Sequence, residues 1–346
     1  MGMIKLPEGA IHNFKDNLDQ IFESGALAEG KWNKKVQDWT NQYTNSKYSI
    51  PSSSNGTGLL AVLQSLKFGQ GYESIFLQSN TMYGMRTLAI SSGLELKGFV
   101  DCSLSTLMPT LDMLKDFTSK IPNPEKSVFL LTHIGGWANP EIESISEFCS
   151  EKGIALVEDC AHSLGTIVSG KHTGTFGVAG VYSLYATKAI PVGEGGIIVT
   201  NDSEIGNQVR KYSIYDRFDQ DQDFGLNNRM SEINALLTYS VLLYLDEIIE
   251  NKYLIANKYE EACKRLGINY IDPKLSGQRS NLYKFILIDN QDHDLAKIKT
   301  RTSAVYDYSL GQDHEDIKNK HVCLPIWYGL EEEVISNVIR ELESLA

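Results

Sequence analysis

The sequence predicts an α/β fold in which helices sandwich a mostly parallel sheet, followed by a smaller C-terminal α+β unit. Three observations carry this prediction. Between residues 48 and 200, short β-rich runs alternate with helix-like stretches, the order that parallel crossovers require. After Asp216 the texture changes, through a polar stretch at 219–223, to a long helical pattern over 231–265. The 346 residues suffice for about two folding units, with a core that needs no disulfide or metal staple.

Taken in order, the strands are expected at 74–77, 96–100, 127–132, 154–158, 178–183 and 196–200, each a short β-branched or aromatic run. Helical patterns fall between them at 58–68, 84–92, 111–118 and 140–152. In the last of these Ile142, Ile145, Phe148 and Cys149 recur at helical spacing. Asp202 stands where a helix N-cap is wanted, ahead of Ile205, Val209 and Tyr212. The region 267–346 reads as a small α+β unit closed by a helix over 330–345. The chain accordingly divides near residue 240 into a large unit, 1–240, and a small one, 241–346. No internal repeat interrupts this plan.

Composition narrows the function. Thirty-two Lys and Arg against 44 Asp and Glu leave a net charge of −12, with no local basic stripe, so nucleic acid is not an expected partner. No apolar run approaches a membrane span, and charged residues interleave the first 22, unlike a secretory leader. Leu6 occupies the position where a myristoylation signal wants Ser or Thr. Five scattered cysteines without a CxxC pair argue against zinc and point to a reducing cytoplasm.

The densest chemistry lies in VEDCAHSLGTIVSGKHTGTFGVAGVYSLYATKAIPVGEGG, residues 157–196. Asp159 falls at the carboxyl end of an expected strand, where open α/β sheets bind ligands. Lys188 follows another such strand and precedes the turn Gly193-Glu194-Gly195-Gly196. A lysine among apolar residues has its charged form disfavoured and offers a nucleophilic amine. Lysine with a distant strand-end carboxylate is what a pyridoxal 5'-phosphate enzyme requires: one forms the Schiff base, the other keeps the pyridine nitrogen protonated. Asn55-Gly56-Thr57-Gly58, before an apolar helical pattern, offers backbone N–H groups and a hydroxyl to a phosphate. Ser183 could add a second hydroxyl. Each element alone has an ordinary structural use, as turn, cap or solvated lysine. Their order along one α/β alternation is what gives them weight.

The sequence resembles the DegT/StrS family of pyridoxal phosphate-dependent nucleotide-sugar aminotransferases, which have the aspartate aminotransferase-like architecture of fold type I. The likeness covers residues 24–39, 54–66, 157–166, 174–202, 225–237 and 323–342, and the Asp159…Lys188-GEGG block is its most specific part. The resemblance implies that Lys188 binds the cofactor and shuttles protons, and that Asp159 pairs with the pyridine nitrogen. It places His162 beside the ring hydroxyl, and Gly56, Thr57 and Ser183 at the phosphate. Asn227, in GLNNRM with Arg229, would reach the phosphate of a neighbouring subunit, which makes a homodimer the smallest competent unit. The implied partners are an amino-acid donor, glutamate being the family's usual one, and a keto-sugar acceptor, most often a nucleotide-linked keto-deoxysugar.

Two departures stand out. In SNTMYGM, where the family sets an aromatic residue over the pyridine ring, this chain has Met82, with Tyr83 one position later. Alignment on Thr81 without insertion favours Met82. The stretch 287–320 is short and matches the family poorly. Alternative readings are a same-fold sugar dehydratase and a non-catalytic cofactor-binding regulator. The dehydratase variant replaces the lysine with histidine, whereas Lys188 stands here. A regulator would carry a DNA-binding segment besides the enzyme fold, which already uses the 346 residues. A nicotinamide dehydrogenase would need a GxGxxG after a strand, which the sequence lacks.

Overall fold

A computed structural model describes residues 4–215, 224–288, 293–306 and 317–345. The expected polar stretch 219–223 lies outside these residues. Two helices open the chain, α1 (Glu8–Ser24) and α2 (Lys31–Thr44). The alternation then runs β1 (Tyr48–Ser52), α3 (Asn55–Gln64), β2 (Ser74–Gln78), α4 (Tyr83–Ser91), β3 (Glu95–Val100), α5 (Leu111–Thr118), β4 (Ser127–Thr132), α6 (Ile142–Lys152) and β5 (Ala155–Cys160). Two short strands, β6 (Ile167–Val168) and β7 (Lys171–His172), precede β8 (Ala179–Ser183), β9 (Gly196–Thr200) and α7 (Ser203–Ile214). The remainder is α8 (Glu232–Leu242), α9 (Leu245–Leu266), β10 (Gln278–Arg279), β11 (Phe285–Ile288), β12 (His321–Leu324) and α10 (Glu332–Glu343).

Seven strands form the central sheet in the order β1-β9-β8-β5-β4-β2-β3. Only β9 runs against its neighbours, pairing antiparallel with both β1 and β8. The other pairings are parallel, so the carboxyl ends of β1, β2, β4, β5 and β8 share one edge. Alternation along each strand decides which face a residue joins. Ile75, Leu77, Leu130 and Val157 pack with α3, α4 and α7, while Phe76, Phe129, Leu131 and Leu156 pack with α5 and α6. Tyr182, Ile197 and Val199 face a third cluster built by α1, α2, α8 and α9.

The β11–β12 hairpin follows the same rule. Phe285 and Leu287 join a cluster with α9 and α10. Ile286 faces the other way, onto Ile134 and Trp137 from the loop after β4. That contact ties the C-terminal region to the active edge of the sheet.

Three expectations differ from the structure. The helix expected from residue 58 begins at Asn55: Ser54 accepts the Thr57 N–H while the Thr57 side chain accepts from the Ser54 N–H, a reciprocal cap that secures a first turn containing two glycines. Gly58 tolerates no side chain there, since a Cβ would lie 2.9 Å from Val181 and 3.0 Å from Ile198. The pattern expected as continuous over 231–265 breaks at Leu243–Tyr244, between α8 and α9. No Gly or Pro marks this break; the Tyr244 hydroxyl packs so closely on α1 that a Cβ at Gly9 would meet it at 2.0 Å. The strand β1 was not expected; its ladder partner is β9, with one further bridge from Ser52 to Arg229, and it reads in sequence as a polar run. Among the described residues no helix is long and apolar enough to cross a membrane.

Candidate active site

The shared carboxyl edge collects the residues singled out above. Asp159 is the penultimate residue of β5 and is almost wholly buried. Its Oδ1 accepts from the Ala161 N–H at 3.0 Å and from Asn55 Nδ2 at 3.2 Å. Asn55 is held in turn by the Val181 carbonyl at 2.9 Å, so the first residue of α3 bridges β5 and β8. Oδ2 has only a long contact, 3.4 Å, with the Thr132 hydroxyl. Burial raises the Asp159 pKa, opposed by the Ala161 N–H, Asn55 and the charges of Lys188 and His133.

Lys188 sits in the turn between β8 and β9. That turn is stitched by Leu184 N–H to Gly195 O at 2.9 Å and Ala186 N–H to Gly193 O at 3.0 Å. Gly193 has φ +99°, a conformation that favours glycine. At Gly196 a Cβ would lie 2.6 Å from the Ser54 carbonyl carbon, so only glycine lets the start of β9 meet the start of α3. Burial lowers the Lys188 pKa to about 8, with Asp159 pulling the other way. The ammonium lies 4.9 Å from the centroid of the Tyr283 ring.

His162 is buried beside both. Its Nδ1 accepts from the Gly135 N–H at 3.3 Å, which leaves the ring proton on Nε2, 3.4 Å from the Tyr306 hydroxyl. Tyr283 stacks on the imidazole with centroids 4.3 Å apart, and Tyr306 stacks at 5.4 Å. Burial drives the His162 pKa well down, reinforced by the charges of Lys188 and Lys284. The ring is therefore neutral at ordinary pH.

The start of α3 forms the anion cup. Ser54 Oγ takes the Thr57 N–H, and the Thr57 hydroxyl is engaged with Ser53 and Ser54. The N–H groups of Asn55 and Gly56 precede the first intrahelical bond, that of Gly58 to the Ser54 carbonyl, so no helix carbonyl takes them. Ser183, the last residue of β8, is paired with Gly196 and accepts the Tyr185 N–H at 3.3 Å. Met82 and Tyr83 stand at the start of α4, each about half exposed. Asn227 is exposed and has no hydrogen-bond partner among the described residues. Its neighbours anchor the segment: the Asn228 carbonyl accepts from the Ser53 N–H at 2.5 Å, and Arg229 donates to the Ser213 carbonyl at 2.8 Å.

Sequence reasoning did not find the C-terminal contributors. Asn281 Nδ2 donates to the carbonyls of His162 at 2.9 Å and Leu164 at 2.8 Å, while its Oδ1 accepts the Tyr283 N–H at 2.9 Å. Gly136, φ +103°, makes room for it, since a Cβ there would lie 2.5 Å from Asn281 Oδ1. The only sequence signal is a pair of polar side chains, Asn281 and Tyr283, flanking a leucine just ahead of a strand. Reasoning from sequence also missed Glu158, whose carboxylate accepts from Gly174, Phe176 and Gly177 N–H groups, each at 2.7 Å, and from His133 Nε2 at 2.9 Å. His133, Glu158 and Cys160 bring metal-type ligand atoms within 4.8 Å of one another, but four N–H donors already saturate the carboxylate.

Solved structures share this architecture from end to end. An aminotransferase of Helicobacter pylori, PseC, involved in pseudoaminic acid biosynthesis, superposes with a TM-score of 0.84 at 19% identity, over 99% of this chain and 97% of its own. DesI, solved in the presence of its TDP-sugar product, gives 0.84 at 20% identity over 99% of this chain and 91% of its own. NtdA of Bacillus subtilis, with bound cofactor PMP, gives 0.84 at 16% identity over 98% and 82%. At these identities the likeness establishes the fold. A sequence model of one family matches residues 10–343, and the chain therefore belongs to the DegT/DnrJ/EryC1/StrS aminotransferase family.

Proposed function

We propose that this protein is a pyridoxal phosphate-dependent aminotransferase that moves an amino group from an amino acid, glutamate by preference, to a nucleotide-linked keto-deoxysugar. The single observation that carries the reading is the placing of buried Asp159 and half-buried Lys188, close enough for each charge to act on the other, after β5 and β8 and beside the start of α3. Membership of the aminotransferase family supports the reaction. The names of relatives that act in pseudoaminic acid biosynthesis or hold a TDP-sugar product support the acceptor class.

The residues fit the cofactor. A carboxylate with one oxygen left almost unpartnered suits a protonated ring nitrogen, and a lysine with a lowered pKa suits an aldehyde. The N–H groups of Asn55 and Gly56, with Thr57 and Ser183 close by, suit a phosphate. When bound, pyridoxal phosphate supplies an electron sink for the carbon that loses or gains the amino group.

The chain's own groups do the rest. Asp159 holds a proton on the ring nitrogen, and the low-dielectric surroundings strengthen that ion pair. Lys188 Nζ, once free, takes the proton from the donor's α-carbon and returns it on the far side of the transfer. His162, neutral and with its proton on Nε2, would hold the ring hydroxyl as a hydrogen-bond donor. Met82, at the start of α4, covers the ring, and Asn227 serves the phosphate of a partner subunit in a homodimer. The same reading assigns 1–240 to the cofactor-bearing unit and 241–346 to the small unit, supported by the separate cluster of α9, α10, β11 and β12. Five buried cysteines, none of them in a disulfide, support a cytoplasmic location.

The test is a screen of the amine-loaded protein against a panel of nucleotide-linked keto sugars. Return of the long-wavelength absorbance with formation of an amino sugar is expected. No return with any keto sugar, or with glutamate as donor in the reverse loading, would sink the assignment.

A further inference from the structure

We propose that Lys284 is the seat of the donor's α-carboxylate, an assignment that rests on the transamination reading above. Lys284 immediately precedes β11 and is nine-tenths buried. Among the described residues its ammonium meets only neutral oxygens: Thr302 Oγ1 at 3.0 Å, the Ser303 carbonyl at 3.2 Å and Ser303 Oγ at 3.4 Å. No carboxylate lies within ion-pair distance among the described residues. A buried cation with neutral partners is costly to keep, and an incoming anion offsets that cost.

Its position selects the anion. The Lys284 and Lys188 ammonium groups lie 5.4 and 4.9 Å from the centroid of one ring, Tyr283. Both also act on His162, which stacks on that ring. Lys188 is the group that works at the donor's α-carbon, and an amino acid carries its α-carboxylate on that very carbon. A cation sharing one aromatic ring with Lys188 stands on the same side chain that borders the reacting lysine. The cofactor phosphate has its own cup at α3, and a nucleotide diphosphate is several bonds removed from a sugar's reacting carbon. The α-carboxylate is the anion whose chemistry fits this place.

Lys284→Met and Lys284→Arg holoenzymes test this. The donor half-reaction is followed by absorbance with L-glutamate and with 4-aminobutyrate, which is glutamate without its α-carboxylate. Maleate, an unreactive dicarboxylate, is titrated calorimetrically whether or not turnover occurs. Lys284→Met should lower the glutamate-to-4-aminobutyrate ratio of kcat/KM by about tenfold or more and weaken maleate by a similar factor. Lys284→Arg should recover most of both. An unchanged ratio together with unchanged maleate binding in a normally melting Lys284→Met protein would overturn the assignment. So would a loss confined to the acceptor half-reaction with a keto sugar bearing a uronic carboxylate, which would make Lys284 an acceptor residue. A wild-type enzyme that binds maleate through Lys284 yet converts no amino acid would overturn the transamination reading and leave the carboxylate seat standing.

Discussion

The imidazole of His162 and the ring of Tyr283 lie stacked, 4.3 Å apart and 24° from parallel, although one follows β5 and the other precedes β11. Nothing local holds them. Asn281 does, by donating to the carbonyls of His162 and Leu164 with one amide and accepting the Tyr283 N–H with its oxygen. The joint between the sheet's active edge and the C-terminal strands is thus made of polar bonds, with apolar support from Ile134, Trp137 and Ile286.

Replacing Asn281 by Leu leaves two carbonyls and one N–H unpartnered in a buried place. Each such group costs about 1–3 kcal/mol, and partial relaxation recovers some of it. The expected loss is about 3 kcal/mol in chemical denaturation, with a weaker grip on the cofactor because His162 and Tyr283 lose their common anchor. Denaturation midpoints within error of wild type would contradict the role given to Asn281.

Glu158 predicts a larger effect without touching the reaction. All four of its hydrogen bonds come from N–H donors. In Glu158→Gln, the new NH2 must face at least one of those donors. The expected destabilisation is about 3 kcal/mol or more, read from urea unfolding, and Glu158→Asp should do no better because its reach is shorter.

The lowered pKa of Lys188 sets a pH dependence. An amine attacks an aldehyde only when unprotonated, and a pKa of about 8 leaves roughly a tenth of it neutral at pH 7, against about one part in three thousand for an ordinary lysine. The rate at which the cofactor-free protein recaptures pyridoxal phosphate should therefore rise with pH and level off above about 8. A rate still climbing tenfold per pH unit near 10 would show an unperturbed lysine. Lys188→Ala should hold the cofactor without a covalent bond and turn nothing over.

Asp159→Asn keeps the shape of the side chain and removes its charge. The ion pair it would form with a ring nitrogen is buried and hydrogen-bonded, and such pairs are worth several kcal/mol. A rate loss on the order of a thousandfold in both half-reactions is the expectation, measured by rapid-mixing absorbance. Near-normal rates in either half-reaction would remove Asp159 from the proposed role.

The cross-subunit use of Asn227 has a mixing test. Lys188→Ala and an inactive Asn227 variant are unfolded together and refolded. If Lys188 of one chain works with Asn227 of the other, each mixed dimer has one intact site, and activity should return to roughly a quarter of wild type with random pairing. If both residues serve the same chain's site, mixing restores nothing.

Sequence alone determined a good deal about this protein. Asp159 and Lys188 were legible because each stands at a strand end or turn announced by its own neighbours, and His162 through the family resemblance; the Asn55–Gly58 turn was legible too, but the Ser54–Thr57 cap that starts α3 at Asn55 was not. Strand positions along 74–200 followed from alternation that each short segment carries by itself. Tertiary structure decided what depends on distant segments meeting. The break at Leu243–Tyr244 is set by α1, not by a breaker in the helix, and β1 becomes a strand because β9 supplies its partner. Asn281, Tyr283 and Lys284 join the site only because β11 and β12 dock on the loop after β4. Glu158 looks in sequence like any strand carboxylate until the 174–177 backbone closes over it. Periodicity and capping are local properties that a sequence displays directly. A hydrogen bond between segments more than a hundred residues apart leaves no such trace, because its partners are chosen by packing.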